Sequence, residues 1–391
     1  MSVENPLLGR GTFLDDRQRG LLRRIAAAEH AGIVSLPSDD PLDPKRRRRV
    51  DATWGEMMSQ PEAVRSTWEA NADAIQRVAA RIAAGDIDRV SLVGAGDSLA
   101  VMLAARLAFE SILGVPCEPM QSLDFAYYAS QTVTPRTLVI ALSSSGETTR
   151  TVEAILVAQH AGAMTVALTN TDGSTLDQEC QETLRIQATR VGWPTQSSTA
   201  ALALLLRLAG VVGALRSVSG SADLVAELDV LPDLMSRSLA AGQSFARAIA
   251  EREVAGRMYL FSGGGPNWAS AIVGAGKVKE CTPDHALAIQ VEEYHHYNSQ
   301  KVGEPLVLLS PSGPSVARAR DTASEAKRLG GQAYVATSEG EHAFDDDADE
   351  VLHLPAISEA LSPLLFFLPA QQIGYELAMA KFSAAEAHVV G

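Results

Sequence analysis

Residues 137–148 read TLVIALSSSGET. The aliphatic run Leu138 to Leu142 is the length of a strand covered on both faces and too short for a buried helix. Three serines, a glycine, a glutamate and a threonine follow at once, and helical spacing then takes over from Arg150 to Ala161. A strand that passes through a small polar turn into a helix is the repeating unit of a parallel sheet, which holds ligands at the carboxyl ends of its strands.

The same punctuation recurs. RVSLVGAGDS around Gly96 and AMTVALTNTDG around Asn170 flank the first segment, and the second half repeats the series as RMYLFSGGGPN around Gly265, EPLVLLSPSGPS around Gly313 and QAYVATSEG around Ser338. Counterparts lie 169, 167 and 168 residues apart, a near-constant shift that marks a tandem duplication. The expected fold is α/β: two tandem doubly wound parallel-sheet lobes of flavodoxin-like topology with flanking helices. The division predicted is an N-terminal helical extension and linker over 1–51, a first lobe over 52–215 and a second over 216–391. Helices are expected over Leu14 to Ala31, Trp54 to Ala84, Leu99 to Leu113, Ser197 to Leu215, Leu224 to Glu251 and Ser315 to Leu329. Pro41 to Asp51, with the basic run Lys45 to Arg49, reads as a polar linker whose charges face solvent.

Composition narrows the partners. The 391 residues carry a formal net charge of −14 and a pI near 5.1, which argues against nucleic acid or an anionic membrane as the partner of the whole molecule. Any anion site must be local. Cys117, Cys180 and Cys281 are odd in number and widely spaced, fitting reduced thiols better than disulfides or a zinc cluster. The N-terminus MSVENPLLGRGTFLDD lacks the apolar core of a signal peptide, and no later segment has about 18 uninterrupted apolar residues, so a cytoplasmic location is expected.

Ser143, Ser144, Ser145, Gly146, Glu147 and Thr148, with Thr149 after them, form the candidate anion loop. Hydroxyls and the unpaired amides of a helix N-terminus hold a phosphate without arginine. The plainer use of such residues is helix capping, which needs one hydroxyl rather than five. The matching turn of the preceding strand supplies Gly96, Asp97 and Ser98. Neither G-x-x-x-x-G-K-[ST] nor a complete G-x-G-x-x-G is present, so a nucleotide is not expected. In the second half, Lys277-Val278-Lys279-Glu280 and Glu292-Glu293-Tyr294-His295-His296 bring a carboxylate and imidazoles. Aldose–ketose conversion needs a base that moves a proton between adjacent carbons and a group that opens the ring, which a glutamate and a histidine supply. Taken alone, Glu280 also reads as a surface carboxylate paired with Lys277, and the Glu/His run as a loop or a zinc or iron site.

Together GAGDS, LSSSGETTRTVEA and the lead-in EMMSQPEAVRSTWE resemble the sugar isomerase (SIS) domain family, and the tandem copy resembles the isomerase half of glucosamine-6-phosphate synthase over about residues 52 to 385. The resemblance implies that Glu280 shuttles the proton, that Lys277 stabilises the developing oxyanion, and that His296, sixteen residues after Glu280, opens the ring from a neighbouring subunit. It therefore implies a homodimer with shared active sites, an anionic sugar as ligand, and no cofactor or metal. Three departures stand out. Asp97 places a carboxylate beside Ser98 in the first turn. The loop Gly192-Trp193-Pro194-Thr195-Gln196 offers Thr195 where the family has a serine, with Arg190 just before it as an anion clamp. The chain ends at Gly391, soon after Lys381, without the family's lysine-bearing tail, and the glutamine-hydrolysing domain is not expected. In the second copy, prolines in Ser310-Pro311-Ser312-Gly313-Pro314-Ser315 remove amide donors, so one phosphate-type site per chain, in lobe one, is expected. The function implied is aldose–ketose isomerisation of a sugar phosphate, with an amino-sugar-phosphate deaminase or a non-catalytic sugar-phosphate sensor as alternatives.

Overall fold

The computed structural model describes residues 13–297 and 299–390; the N-terminal reading of residues 1–12 lies outside it. Two five-stranded sheets are present, both parallel throughout. The first contains β1 (Arg89–Gly94), β2 (Cys117–Gln121), β3 (Thr137–Leu142), β4 (Met164–Thr169) and β5 (Glu182–Arg185), in the order β2-β1-β3-β4-β5. The second contains β6 (Met258–Gly263), β7 (His285–Gln290), β8 (Pro305–Leu309), β9 (Gln332–Ser338) and β10 (Glu350–Leu354), in the order β7-β6-β8-β9-β10. The topology is the same in both, as a duplication requires.

Sequence patterning anticipates the three inner strands of each sheet and misses the outer ones. β3 is buried at every position, which is why it reads as a continuous apolar run. β2 and β5 are edge strands, and their sequences CEPMQ and ETLR carry the charge, proline and brevity with which edges avoid further pairing. They obey the repeat nonetheless: Cys117 and Glu182 start strands 168 residues before His285 and Glu350.

The chain separates into two compact units. One comprises residues up to Leu36, Ser66–Ala188 and Leu204–Ala222; the other comprises Pro37–Arg65, Thr189–Ala203 and Asp223 onwards. The first is cored by Val93, Val139, Ala141, Val152, Ile155 and Ala167, with Leu22 and Ile25 of the helix Asp16–Gly32 packed among them. The second is cored by Leu260, Leu306, Leu308, Ala323, Val335 and Phe344. The helix Gln196–Leu215 is long and apolar enough to cross a membrane, and most of it is buried inside the protein, as a core helix is.

The reading of Pro41 to Asp51 as a linker is overturned. Asp43 accepts the Lys45 N–H at 2.7 Å, Pro44 occupies the first turn, and a helix runs Pro44–Met58 through the whole basic run. Arg46 is buried, and its guanidinium donates to the carbonyls of Asp40 at 2.6 Å and Ser38 at 2.5 Å. Arg46→Ala removes these charge-assisted bonds and is expected to lower stability by about 2–3 kcal/mol in chemical denaturation. Arg48, exposed on the same helix, is expected to tolerate alanine within about 0.5 kcal/mol. Equal effects at the two positions would contradict this account of the helix.

Candidate functional site

In the first unit the strand order reverses between β1 and β3, so the turns after these two neighbours flank a topological switch point, where doubly wound sheets bind ligands. After β3, the Ser143 and Thr148 hydroxyls are 2.8 Å apart. Gly146 N–H donates to Ser143 Oγ at 3.1 Å, and Glu147 N–H to Ser145 Oγ at 3.2 Å. Ser144 Oγ is buried without a partner. Gly146 turns the chain at φ +66, and a Cβ there would lie 2.0 Å from Ser174 Oγ. The loop is thus a tight coil of hydroxyls and amides at the start of the helix Thr149–His160.

Capping does not account for these hydroxyls. Thr148 is the N-cap and makes no side-chain cap bond. The cap comes instead from Glu29 on the helix Asp16–Gly32, whose carboxylate accepts both the Thr149 N–H, at 3.2 Å, and the Thr149 hydroxyl. A carboxylate against a helix N-terminus is favoured by the exposed amides and the dipole. The sequence marks the helix that carries Glu29 but gives no signal for where it docks. Glu147 points away from the loop, accepting Thr175 N–H at 2.7 Å and its hydroxyl at 2.9 Å. After β1, Gly96 adopts φ 57 and precedes the helix Asp97–Leu113, with Asp97 and Ser98 half-buried in its first turn.

The second unit holds the other predicted residues. Lys277 is buried on the helix Trp268–Cys281 and its ammonium meets the half-buried Glu280 carboxylate one turn on. Burial pushes the neighbouring Cys281 thiol up to about 12, leaving it protonated and inert. His296 is exposed, with Nε2 3.3 Å from Glu292, which also receives two N–H groups of Arg318 at 2.7 and 3.1 Å. His295 is turned inward onto Glu325 at 2.7 Å and Thr322 at 2.9 Å, so the two histidines face different surroundings. Arg190 and Thr195 sit at either end of a loop in this unit; Thr195 is buried with its hydroxyl unpartnered, while Arg190 is exposed. Lys381 is bound to Asp284 at 2.7 Å and to the carbonyls of Val254 and Gly256 at 2.8 Å each.

At the carboxyl ends of β6 and β8, where the first unit presents hydroxyls, the second has a side chain of its own. Glu359 lies so close to the two glycine turns that a Cβ on Gly265 or Gly313 would come within 3.2 Å of its carboxylate. Burial raises the Glu359 pKa. A carboxylate in this place disfavours a second anion.

A parallel sheet with a turn of hydroxyls and amides at its switch point is an architecture suited to holding an anion, and comparison with known proteins extends this. Residues 86–209 match the SIS domain model. The chain is homologous to the isomerase half of glutamine–fructose-6-phosphate aminotransferase, and its two parallel sheets match a tandem SIS fold. It is 29% identical over 303 residues to the isomerizing glutamine–fructose-6-phosphate aminotransferase of Yersinia pseudotuberculosis, covering 76% of this chain and 49% of that one. The chain therefore spans about half the length of the curated relatives it matches. Among solved structures, the C-terminal domain of glucosamine-fructose-6-phosphate aminotransferase from Francisella tularensis aligns with TM-score 0.73 and 22% identity over 83% of this chain and 95% of that one. Glucosamine-6-phosphate deaminase from Thermotoga maritima aligns with TM-score 0.68 and 20% identity over 84% and 94%.

Proposed function

We propose that the protein is an aldose–ketose isomerase for a sugar bearing a terminal phosphate or similar anion, acting without a cofactor as a cytoplasmic homodimer. The observation that carries this reading is the loop after β3, where the hydroxyls of Ser143, Ser145 and Thr148 converge with the amides of Gly146 and Glu147 and the helix cap is supplied from elsewhere. Ser98, Gly96 and Asp97 lie in the turn after β1, and Ser144, Thr195 and Arg190 are proposed as further binding residues.

His296 opens the ring by moving the anomeric hydroxyl proton to the ring oxygen, acting across the dimer. Glu280 then takes the proton from the carbon next to the carbonyl, leaving an enediolate; the hydroxyl proton on that carbon passes to the former carbonyl oxygen, and Glu280 returns its proton to the former carbonyl carbon, so that the neighbouring C–O becomes the new carbonyl. Lys277, held beside Glu280, stabilises the oxyanion that develops on the carbonyl oxygen. A panel of hexose 6-phosphates and glucosamine 6-phosphate assayed with the full chain tests the reading: interconversion of an aldose and a ketose phosphate without ammonia release is expected. Stoichiometric ammonia from the amino sugar would move the assignment to a deaminase, and tight binding with no turnover of any member would overturn enzymatic function in favour of a sensor.

A further inference from the structure

The second unit repeats the switch-point turns of the first with their chemistry inverted. Gly265 and Gly313 stand where the first unit has Gly96 and Gly146, Ser310 where it has Ser143, and Ser315 where it has Thr148. Each of the two glycines is followed by a proline, Pro266 or Pro314, which has no N–H to give. Three of the remaining amides are committed: Asn267 N–H donates to the Gly264 carbonyl at 3.0 Å, Val316 N–H to that of Gly313 at 3.2 Å, and Ser312 N–H to Ser338 Oγ at 3.1 Å. Acceptors are left over instead. Ser310 is fully buried and its hydroxyl has no partner. Ser315 is the N-cap of the helix Val316–Arg328 but makes no side-chain cap bond, and a Cβ on Gly264 would come 2.8 Å from its Oγ, so its side chain lies against the neighbouring turn.

Glu359 stands between these turns. A Cβ on either Gly265 or Gly313 would come 3.2 Å from its Oε1. Its backbone is held in place, since buried Asn267 donates to Ser362 Oγ at 2.7 Å and Ser362 Oγ donates to the Glu359 carbonyl at 2.8 Å. The carboxylate itself accepts no hydrogen bond and meets no cation among the described residues. A carboxylate that only plugged an unused anion site would take up amides, as Glu29 does at Thr149. Burial raises the Glu359 pKa with no neighbouring charge to offset it. A half-buried carboxylate with free lone pairs beside two unused hydroxyls is stabilised by a donor that carries positive charge.

We propose that the switch point of the second unit is a second ligand site, for a primary ammonium group held by the Glu359 carboxylate with the hydroxyls of Ser310 and Ser315. An ammonium has three N–H donors and no acceptor, which matches a turn stripped of donors and furnished with three acceptors. The group belongs to a simple amine or to an amino sugar. The site makes no use of Glu280 and stands apart from the proposed isomerisation.

Saturation-transfer NMR on the full chain tests this with methylammonium and tetramethylammonium, cations of equal charge of which only the first has N–H donors. Methylammonium is expected to bind at least about tenfold more tightly, and the ratio to fall below about threefold in Glu359→Gln, which keeps the size of the side chain and removes an unpaired charge. Ser310→Ala deletes a hydroxyl that has no partner to lose, and is expected to weaken methylammonium binding about two- to fivefold. Glucosamine binding more tightly than methylammonium, and losing that affinity in Glu359→Gln, would assign the ammonium to an amino sugar; the opposite order would assign it to a simple amine. Absence of methylammonium binding, equal binding of the two cations, or a preference that survives Glu359→Gln overturns the site. Glucose 6-phosphate titrated into the same variants is expected to bind as it does to the wild type within about twofold, because the two sites share no residues, so the phosphate reading stands or falls separately.

Discussion

In Glu280→Gln, isomerase turnover is expected to fall by about 10²–10⁴-fold while affinity for the sugar phosphate changes by no more than a few-fold. The amide keeps the size of the side chain and a hydrogen-bond acceptor for the Lys277 ammonium, but it no longer accepts a proton from carbon. Because Lys277 is buried, removing the charge beside it also costs stability, by about 1–3 kcal/mol, and denaturation of the same variant separates this from the kinetic loss. Lys277→Met preserves the buried aliphatic stem and removes only the cation; a loss of about 10²–10³-fold in turnover is expected from it. Glu280→Gln retaining more than a tenth of wild-type turnover would remove Glu280 from the chemistry.

The largest effect outside the proton-transfer residues is expected at Gly146. An alanine there must adopt a left-handed backbone, at a cost of about 1–2 kcal/mol, and its Cβ is driven to 2.0 Å from Ser174 Oγ, 2.4 Å from Ser174 Cβ and 2.9 Å from Thr169 Oγ1. The crowding adds about 1–3 kcal/mol. Total destabilisation of about 2–5 kcal/mol in chemical denaturation is expected, with loss of anion binding as the loop opens. Gly96 is the control: it also has positive φ, at 57 with ψ −130, but nothing lies within 4 Å of the place a methyl group would occupy, so Gly96→Ala is expected to cost only the backbone contribution of about 1–3 kcal/mol. Equal costs at the two glycines would show that the close approach at Gly146 is not structural.

The parts of this architecture that the sequence discloses are those set by burial and local backbone chemistry. β3 announces itself because both faces are covered, and the Ser143 to Thr148 turn because a strand ends abruptly in small polar residues. The duplication is visible because the spacing of inner strands is kept between copies. Edge strands such as β5 have too few residues and too much polarity to stand out from loop. Tertiary partners are silent in sequence for a different reason. Glu29 caps a helix 120 residues away, and Glu359 reaches turns that precede it by 46 and 94 residues; no local pattern encodes such pairings. The basic run Lys45 to Arg49 misleads for a related reason. Its charges suggest a solvated linker, yet Arg46 is buried and donates to backbone carbonyls and Arg49 lies against an indole face, and only tertiary packing distinguishes them from Arg48. Within the candidate site, the Lys277–Glu280 pairing follows from helical spacing, whereas the different fates of adjacent His295 and His296 depend on which side of the turn meets Thr322 and Glu325.

The central claim is proton transfer at carbon, and solvent-deuterium incorporation followed by NMR is its most direct test. With the full chain in D₂O and a panel of hexose 6-phosphates, deuterium is expected to enter the carbon adjacent to the carbonyl of the active substrate, and to stop entering when Glu280→Gln replaces the wild type. Tight binding of a sugar phosphate with no exchange at that carbon, or exchange that persists in the variant, would contradict it.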